Sequence, residues 1–334
     1  MIMQLKNNDK EISDNFWALK GIAILSVICA HVGTIMLDNL FVKYCSNILN
    51  NIGIIGVGIF YFISGYYYKF NQTQKLHFLM TKMKTLIIPW LIAATIIWLY
   101  VILRKGEIAF DSWFNFLIGN GSIFYFMTNL IIYFIIFAVL SYLKNKKAYI
   151  YMQSLIFITF LSEIFLILES NNISLFLTPY LNFMLFIGYF SLGQYFQNFN
   201  KKEITLNSNR ILLIFIILVA IFVPVRLSYW YNFIIIPLEL GVIISLYCLC
   251  TVMDKKLKTL LISLGKDSFA IFLWHIPIAG IIVNLTNRVD FLQYFVLIRP
   301  IIVCFIIWMG IVFLKRILKN KIMFAKCIGL NYKT

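Results

Sequence analysis

Charge is scarce in this chain. Asp, Glu, Lys and Arg supply 13% of its 334 residues, about half the share found in a soluble domain. Apolar residues supply 62%, against roughly 45–50% in a soluble protein. So little polar surface cannot cover a particle in water, which excludes a cytosolic enzyme, a secreted disulfide scaffold and a disordered chain. Cysteine is equally thin: six residues, of which Cys29, Cys248, Cys250 and Cys304 fall inside apolar runs while Cys45 and Cys327 stand alone. None has metal-ligand spacing, and Cys248 and Cys250 lack a second pair, so no metal is expected.

What is present is long apolar runs. A helix needs about 20 such residues to cross the hydrocarbon core. Ten runs qualify: Phe16–Met36, Asn50–Phe70, Thr85–Leu103, Ser122–Tyr142, Tyr149–Leu168, Leu175–Phe196, Ile211–Leu227, Tyr231–Val252, Ser268–Asn287 and Leu292–Leu314. The first lacks the short apolar core and small-residue cleavage site of a removable leader. No repeat or linker marks a second domain. The expected fold is an all-α polytopic membrane protein, a single transmembrane domain over 1–334.

The formal charge of +16 is distributed by side. Twenty-two of the 29 Lys and Arg fall in the N-terminal tail, the second, fourth, sixth and eighth loops and the C-terminal tail. The intervening loops hold Lys43, Arg104, Lys105, Arg226, Arg288 and Arg299, and Lys20 lies within the first span. The positive-inside rule then places both termini in the cytoplasm. The excess charge thus reads as topology and as attraction for anionic lipid or ligand on the inner face, not as a nucleic-acid surface.

Ionisable residues within spans are costly and mark candidate functional sites. They are Lys20, His31, Glu163, Glu239 and His275. Eleven residues separate Lys20 from His31, three turns plus about 20°, which sets both on one helix face about 16 Å apart along the axis. Lys20 alone reads as a snorkelling anchor and His31 alone as a packing hydrogen bond; together they point to function. This reading places Lys20 near the cytoplasmic surface and His31 near mid-span. His275 lies mid-span with Pro277 two residues later, either filling a kink or facing substrate. Glu239 follows Pro237, and Arg226 is an alternative partner for the buried acids. Gly56, Gly58 and Gly65 read as packing positions beside Ser64.

Four segments in order carry a resemblance: "LKGIAILSVICAH", "GVGIFYFISGYYY", "KMKTLIIPW" and "LGKDSFAIFLWHIPI". The chain resembles the integral-membrane acyltransferase 3 family of bacterial surface-sugar O-acyltransferases. It departs from the family where Phe16 stands in place of a first arginine and Lys20 in place of a second. The resemblance implies an acyl-CoA donor, acetyl-CoA foremost, with no permanently bound cofactor. It also implies a surface polysaccharide or lipid-linked sugar as acceptor, reached across the bacterial cytoplasmic membrane. Lys20, Ser64, Lys75, Lys82 and Lys84 would then bind the donor, His31 would act as general base or acyl relay, and Glu239 and His275 would support substrate or structure. The competing readings are a polysaccharide-precursor transporter with helices broken near Pro237 and Pro277, and a glycosyltransferase. The outer acids Asp38, Glu107, Asp111, Glu169 and Asp290 form no Asp-Asp or Asp-x-Asp pair to serve the latter.

Overall fold

A computed structural model describes residues 2–68, 75–105, 110–120, 122–140, 153–156, 181, 183–199, 208–227 and 231–330. The described residues are helical, with no strand among them. This follows from the composition, because an apolar surround offers backbone groups no water and a helix satisfies them within one segment. The helices are α1 (Ile2–Val32), α2 (Leu40–Tyr66), α3 (Lys75–Lys105), α4 (Phe110–Ile118), α5 (Tyr125–Leu140), α6 (Met184–Phe199), α7 (Ser208–Leu227), α8 (Tyr231–Val252), α9 (Lys255–Asn287), α10 (Asp290–Gln293), α11 (Arg299–Ile317) and α12 (Ile322–Cys327). Among these residues five stretches are long and apolar enough to span a membrane: Lys10–Val32, Leu40–Tyr66, Lys84–Leu103, Lys255–Asn287 and Arg299–Asn320. Shorter apolar helices cover Tyr125–Leu140, Asn209–Pro224 and Pro237–Val252. Each expected span except the fifth coincides at least in part with a described helix; the fifth, with Glu163, and the first half of the sixth lie largely outside the described residues. The protein is an all-α polytopic membrane protein.

Two compact units make up the chain. One comprises Met1–Phe60, Ile204–Lys319 and Asn331–Thr334; the other comprises Tyr61–Glu203 and Asn320–Leu330. In the first, α1 packs most extensively on α9. Two glycines make that approach possible. A Cβ on Gly21 would lie 2.2 Å from the Leu261 carbonyl oxygen, and one on Gly265 would lie 1.9 Å from that of Trp17. Backbones this close are the usual consequence of small residues between membrane helices. Contacts later in both helices involve later residues of each, so α1 and α9 run parallel. The opposite holds for α2, where Ser26 Oγ donates to Ile52 O at 2.6 Å and Gly56 packs back against Ala23. It holds also for α11, whose Lys315 pairs with Asp267 near the start of α9. Parallel first and ninth spans with antiparallel second and tenth are what an alternating bundle requires.

Several boundaries differ from the sequence reading, and two of them have a local cause in a cap or a proline. α9 begins at Lys255, not Ser268, because Asp254 caps it, its carboxylate accepting from Lys256 N at 2.9 Å and Leu257 N at 3.4 Å. Residues 255–266, read as loop, are therefore its first three turns. The last span starts at Arg299, not Leu292, with Pro300 beside it in the first turn, where its missing N–H costs nothing. Nor do the prolines interrupt their helices, since Pro237 and Pro277 sit inside continuous α8 and α9.

On α11, Ile301, Phe305, Met309 and Phe313 are each more than half exposed, while Val303, Cys304, Ile307 and Ile311 are buried. An outward stripe this apolar is a lipid-facing surface. Asp267, 6% exposed, accepts from Trp308 Nε1 at 3.2 Å and pairs with Lys315. Its exclusion from the candidate acids came only from the misplaced helix start. The second unit is built on rings: Tyr61 meets Phe126, Tyr133 and Phe186, and Phe190 meets Phe134 and Phe137. Gly65 lies against the Phe190 carbonyl there. Trp113 of α4 donates to Thr95 of α3, and Trp98 of α3 donates to Ser112, so two indoles tie α4 to α3.

Four outcomes are expected. Gly265→Leu separates α1 from α9 and abolishes the monodisperse peak in detergent size-exclusion chromatography. Gly310→Ala, with nothing within 4 Å of the added Cβ, leaves that peak intact. Asp267→Asn strands Lys315 beside a neutral partner and costs about 3 kcal/mol, at the lower end for a buried pair because Lys315 keeps some solvent contact. Asp267→Asn with Lys315→Met recovers most of that loss in a thermal melt.

Candidate functional site

The first unit gathers the polar residues of greatest interest around the C-terminal end of α1. His31 occupies the last turn of that helix and is half-buried. From its close approach at Gly265, α9 climbs ten residues to His275, the same interval that separates Gly21 from His31. The two imidazoles consequently meet, with ring centroids 5.1 Å apart and planes 51° from parallel. His275 is fully buried, and its Nδ1 lies 2.6 Å from Phe272 O. A carbonyl can only accept, so Nδ1 carries the proton and donates. The lone pair is then on Nε2, which has no hydrogen-bond partner.

α1 is continuous through both Lys20 and His31, which sets them about 16 Å apart on one stripe. Lys20 Nζ lies 4.4 Å from the centroid of the Trp17 ring, a cation–π contact one turn earlier on the same helix. Phe16 packs its ring 4.8 Å from that of Tyr247 on α8 and is 1% exposed. Aromatic packing thus fills the place where the resembled family has an arginine.

α1 ends at Val32 instead of continuing to Met36, and the chain runs non-helically to Asn39. His31 therefore lies in the last turn of its helix, and Lys20 lies three turns earlier. The reason is competition for backbone groups. In a continued helix, the amides of Met36 and Leu37 would bond to the carbonyls of Val32 and Gly33. They donate instead to Gln293 Oε1 at 2.8 and 2.7 Å. Arg299 Nη1 donates to Val32 O at 3.2 Å and Thr34 O at 2.8 Å, Ser46 Oγ to Gly33 O at 2.5 Å, and Asn287 Nδ2 to Thr34 O at 3.2 Å. A cation on the last carbonyls also opposes the negative end of the helix dipole.

Arg299 is the residue that sequence reasoning missed. The charge count groups it with the outer-loop residues although the run Leu292–Leu314 contains it, and it is 3% exposed. The signal was the Arg-Pro step, since proline favours the first turn of a helix and so places Arg299 at the helix start. Asn287 and Gln293 carried no comparable signal.

The other expected site residues are placed as follows. Glu239 is buried on α8 in the first unit. Ser64 is half-buried in the last turn of α2 and belongs to the second unit, as do Lys75, Lys82 and Lys84 on α3. Of these lysines, Lys84 is exposed. Arg226 lies in the last turn of α7.

Chemically, the end of α1 presents a half-buried imidazole beside a buried one with an open acceptor nitrogen. An imidazole so placed can take a proton from a hydroxyl. Gln293→Leu removes the acceptor of two backbone amides. The expected cost is about 2 kcal/mol, read as a lowered melting temperature in detergent, with loss of the His31–His275 approach seen as a changed imidazole NMR environment.

Comparison with known proteins supplies the class. No curated protein and no solved structure matches the chain. A family model described as an acyltransferase domain matches residues 15–314, a stretch that takes in His31, His275 and Arg299. The chain is therefore a member of the acyltransferase 3 family, a membrane enzyme that transfers acyl groups other than amino-acyl groups.

Proposed function

We propose that this acyltransferase moves an acetyl group from cytoplasmic acetyl-CoA to a hydroxyl of a cell-surface polysaccharide or its lipid-linked sugar precursor. In this reading it works in the bacterial cytoplasmic membrane, with both termini inside and 1–334 serving as one catalytic domain. The observation that carries the reading is the meeting of His31 and His275 within a chain of this family. A hydroxyl is a poor nucleophile until a base removes its proton, and these are the groups suited to that task.

The step balances as follows. The acceptor O–H proton passes to an imidazole nitrogen of His31 while the oxygen attacks the thioester carbonyl carbon. The tetrahedral intermediate collapses with cleavage of the C–S bond, and the departing thiolate takes the proton from the imidazolium. His275, held by Phe272 O, orients the neighbouring ring. Lys75, Lys82 and Lys84 attract the donor phosphates at the inner face, and Lys20 and Ser64 are further candidates for donor binding. Glu239 supports the substrate or the helices around it. Attack by His31 on the thioester itself, giving an acyl-imidazole, is the variant of the same chemistry.

The test is transfer of labelled acetyl from acetyl-CoA into surface polymer by membranes of the expressing cell. His31→Ala, at matched membrane abundance, loses at least about 100-fold of this activity. Wild-type transfer by that variant overturns the assignment. Label retained on the wild-type protein without acceptor indicates the acyl-imidazole; strict dependence on both substrates indicates direct attack.

A further inference from the structure

Arg299 is buried with no carboxylate against it. The nearby acids are engaged elsewhere: Asp38 pairs with Lys43, and Asp290 accepts from Gln293 Nε2 at 3.3 Å. Of the three guanidinium nitrogens, Nη1 is committed to the carbonyls of Val32 and Thr34. Nε and Nη2 are buried and have no partner. Those two nitrogens form the side edge of the guanidinium, where parallel N–H bonds match the two oxygens of a carboxylate or phosphate. The anchoring nitrogen is thus used up on the backbone, and the edge suited to an oxyanion is left buried without a partner. Asn287 shares the Thr34 carbonyl with Arg299, and its Oδ1 is also without a partner, offering an acceptor for a hydroxyl beside the anion.

An unpaired buried cation costs several kcal/mol. A purely structural cap would do as well with its free edge turned to water. We propose that the Nε/Nη2 edge of Arg299, with Asn287 beside it, is a subsite for an oxyanion of the acceptor, held next to the end of α1 that carries His31. This rests on the acceptor reading above. The shared chemistry is a two-oxygen anionic face, from either the diphosphate of a lipid-linked sugar or the carboxylate of an acidic sugar. The non-helical segment after Val32, with Thr34 and Met36 exposed, is the part of the chain such a group would pass.

The experiment is thermal melting of the purified full-length protein in detergent at constant ionic strength. Inorganic pyrophosphate, glucuronate and chloride are compared. Either oxyanion at about a hundredfold its Kd is expected to raise the wild-type melting temperature by about 5 °C over chloride. A rise with pyrophosphate alone assigns the lipid diphosphate, and one with glucuronate alone assigns the acidic sugar. Arg299→Lys keeps a cation for the Val32 and Thr34 carbonyls but loses the paired N–H edge, so it should lose the rise; Arg288→Gln, at an exposed position, should keep it. No rise in the wild type, or an equal rise in Arg299→Lys, overturns the proposal. Because the readout is binding, these outcomes are separable from failure of acetyl transfer.

Discussion

The backbone contact between α1 and α9 is the constraint from which the rest of the first unit follows. With Gly21 and Gly265 facing the Leu261 and Trp17 carbonyls, the two helices approach more closely than side chains would allow. Lipid tails are as apolar as the residues they surround, so packing density and not hydrophobic gain holds such helices together. Once crossing point and direction are set, each helix advances about 15 Å over its next ten residues. His31 and His275 then arrive at the same level. The imidazole pair is thus a consequence of where two side chains are missing.

The far end of the pair is held by polar groups. Arg299, Asn287 and Gln293 compete for the backbone of residues 32–37 and win. They stop α1 one residue after His31. In a membrane bundle, irregular backbone is tolerated where protein groups satisfy it, and here side chains from three later elements do so. The arrangement gives His31 a fixed helical base while leaving an open chain beside it. It also explains why a guanidinium is buried without an acid: its first task is to neutralise the carbonyl end of α1.

Lysines are concentrated in alternate loops, and the buried polar residues His275, Asn287, Gln293 and Arg299 gather at the C-terminal end of α1. The Asp267–Lys315 pair locks α9 to α11 at one end, and the Arg299 network ties both to α1 at the other. Between these ties the packing of α11 against α9 and α1 is apolar, and its outer stripe is left to lipid.

Membrane residence and helicity were legible in the amino-acid order, because each depends on local composition, which folding does not alter. The Lys20–His31 stripe was legible too, since it needs only helical periodicity. Helix ends were not. Asp254 extends α9 three turns early, and Gln293 halts α1 early, because a capping or competing group decides the end and an apolar run does not record it. Which polar residues meet was beyond the sequence altogether. His31 and His275 come together, and Arg299 leaves the surface for the interior, only through contacts between segments far apart in the chain, and such contacts exist only once the helices have packed.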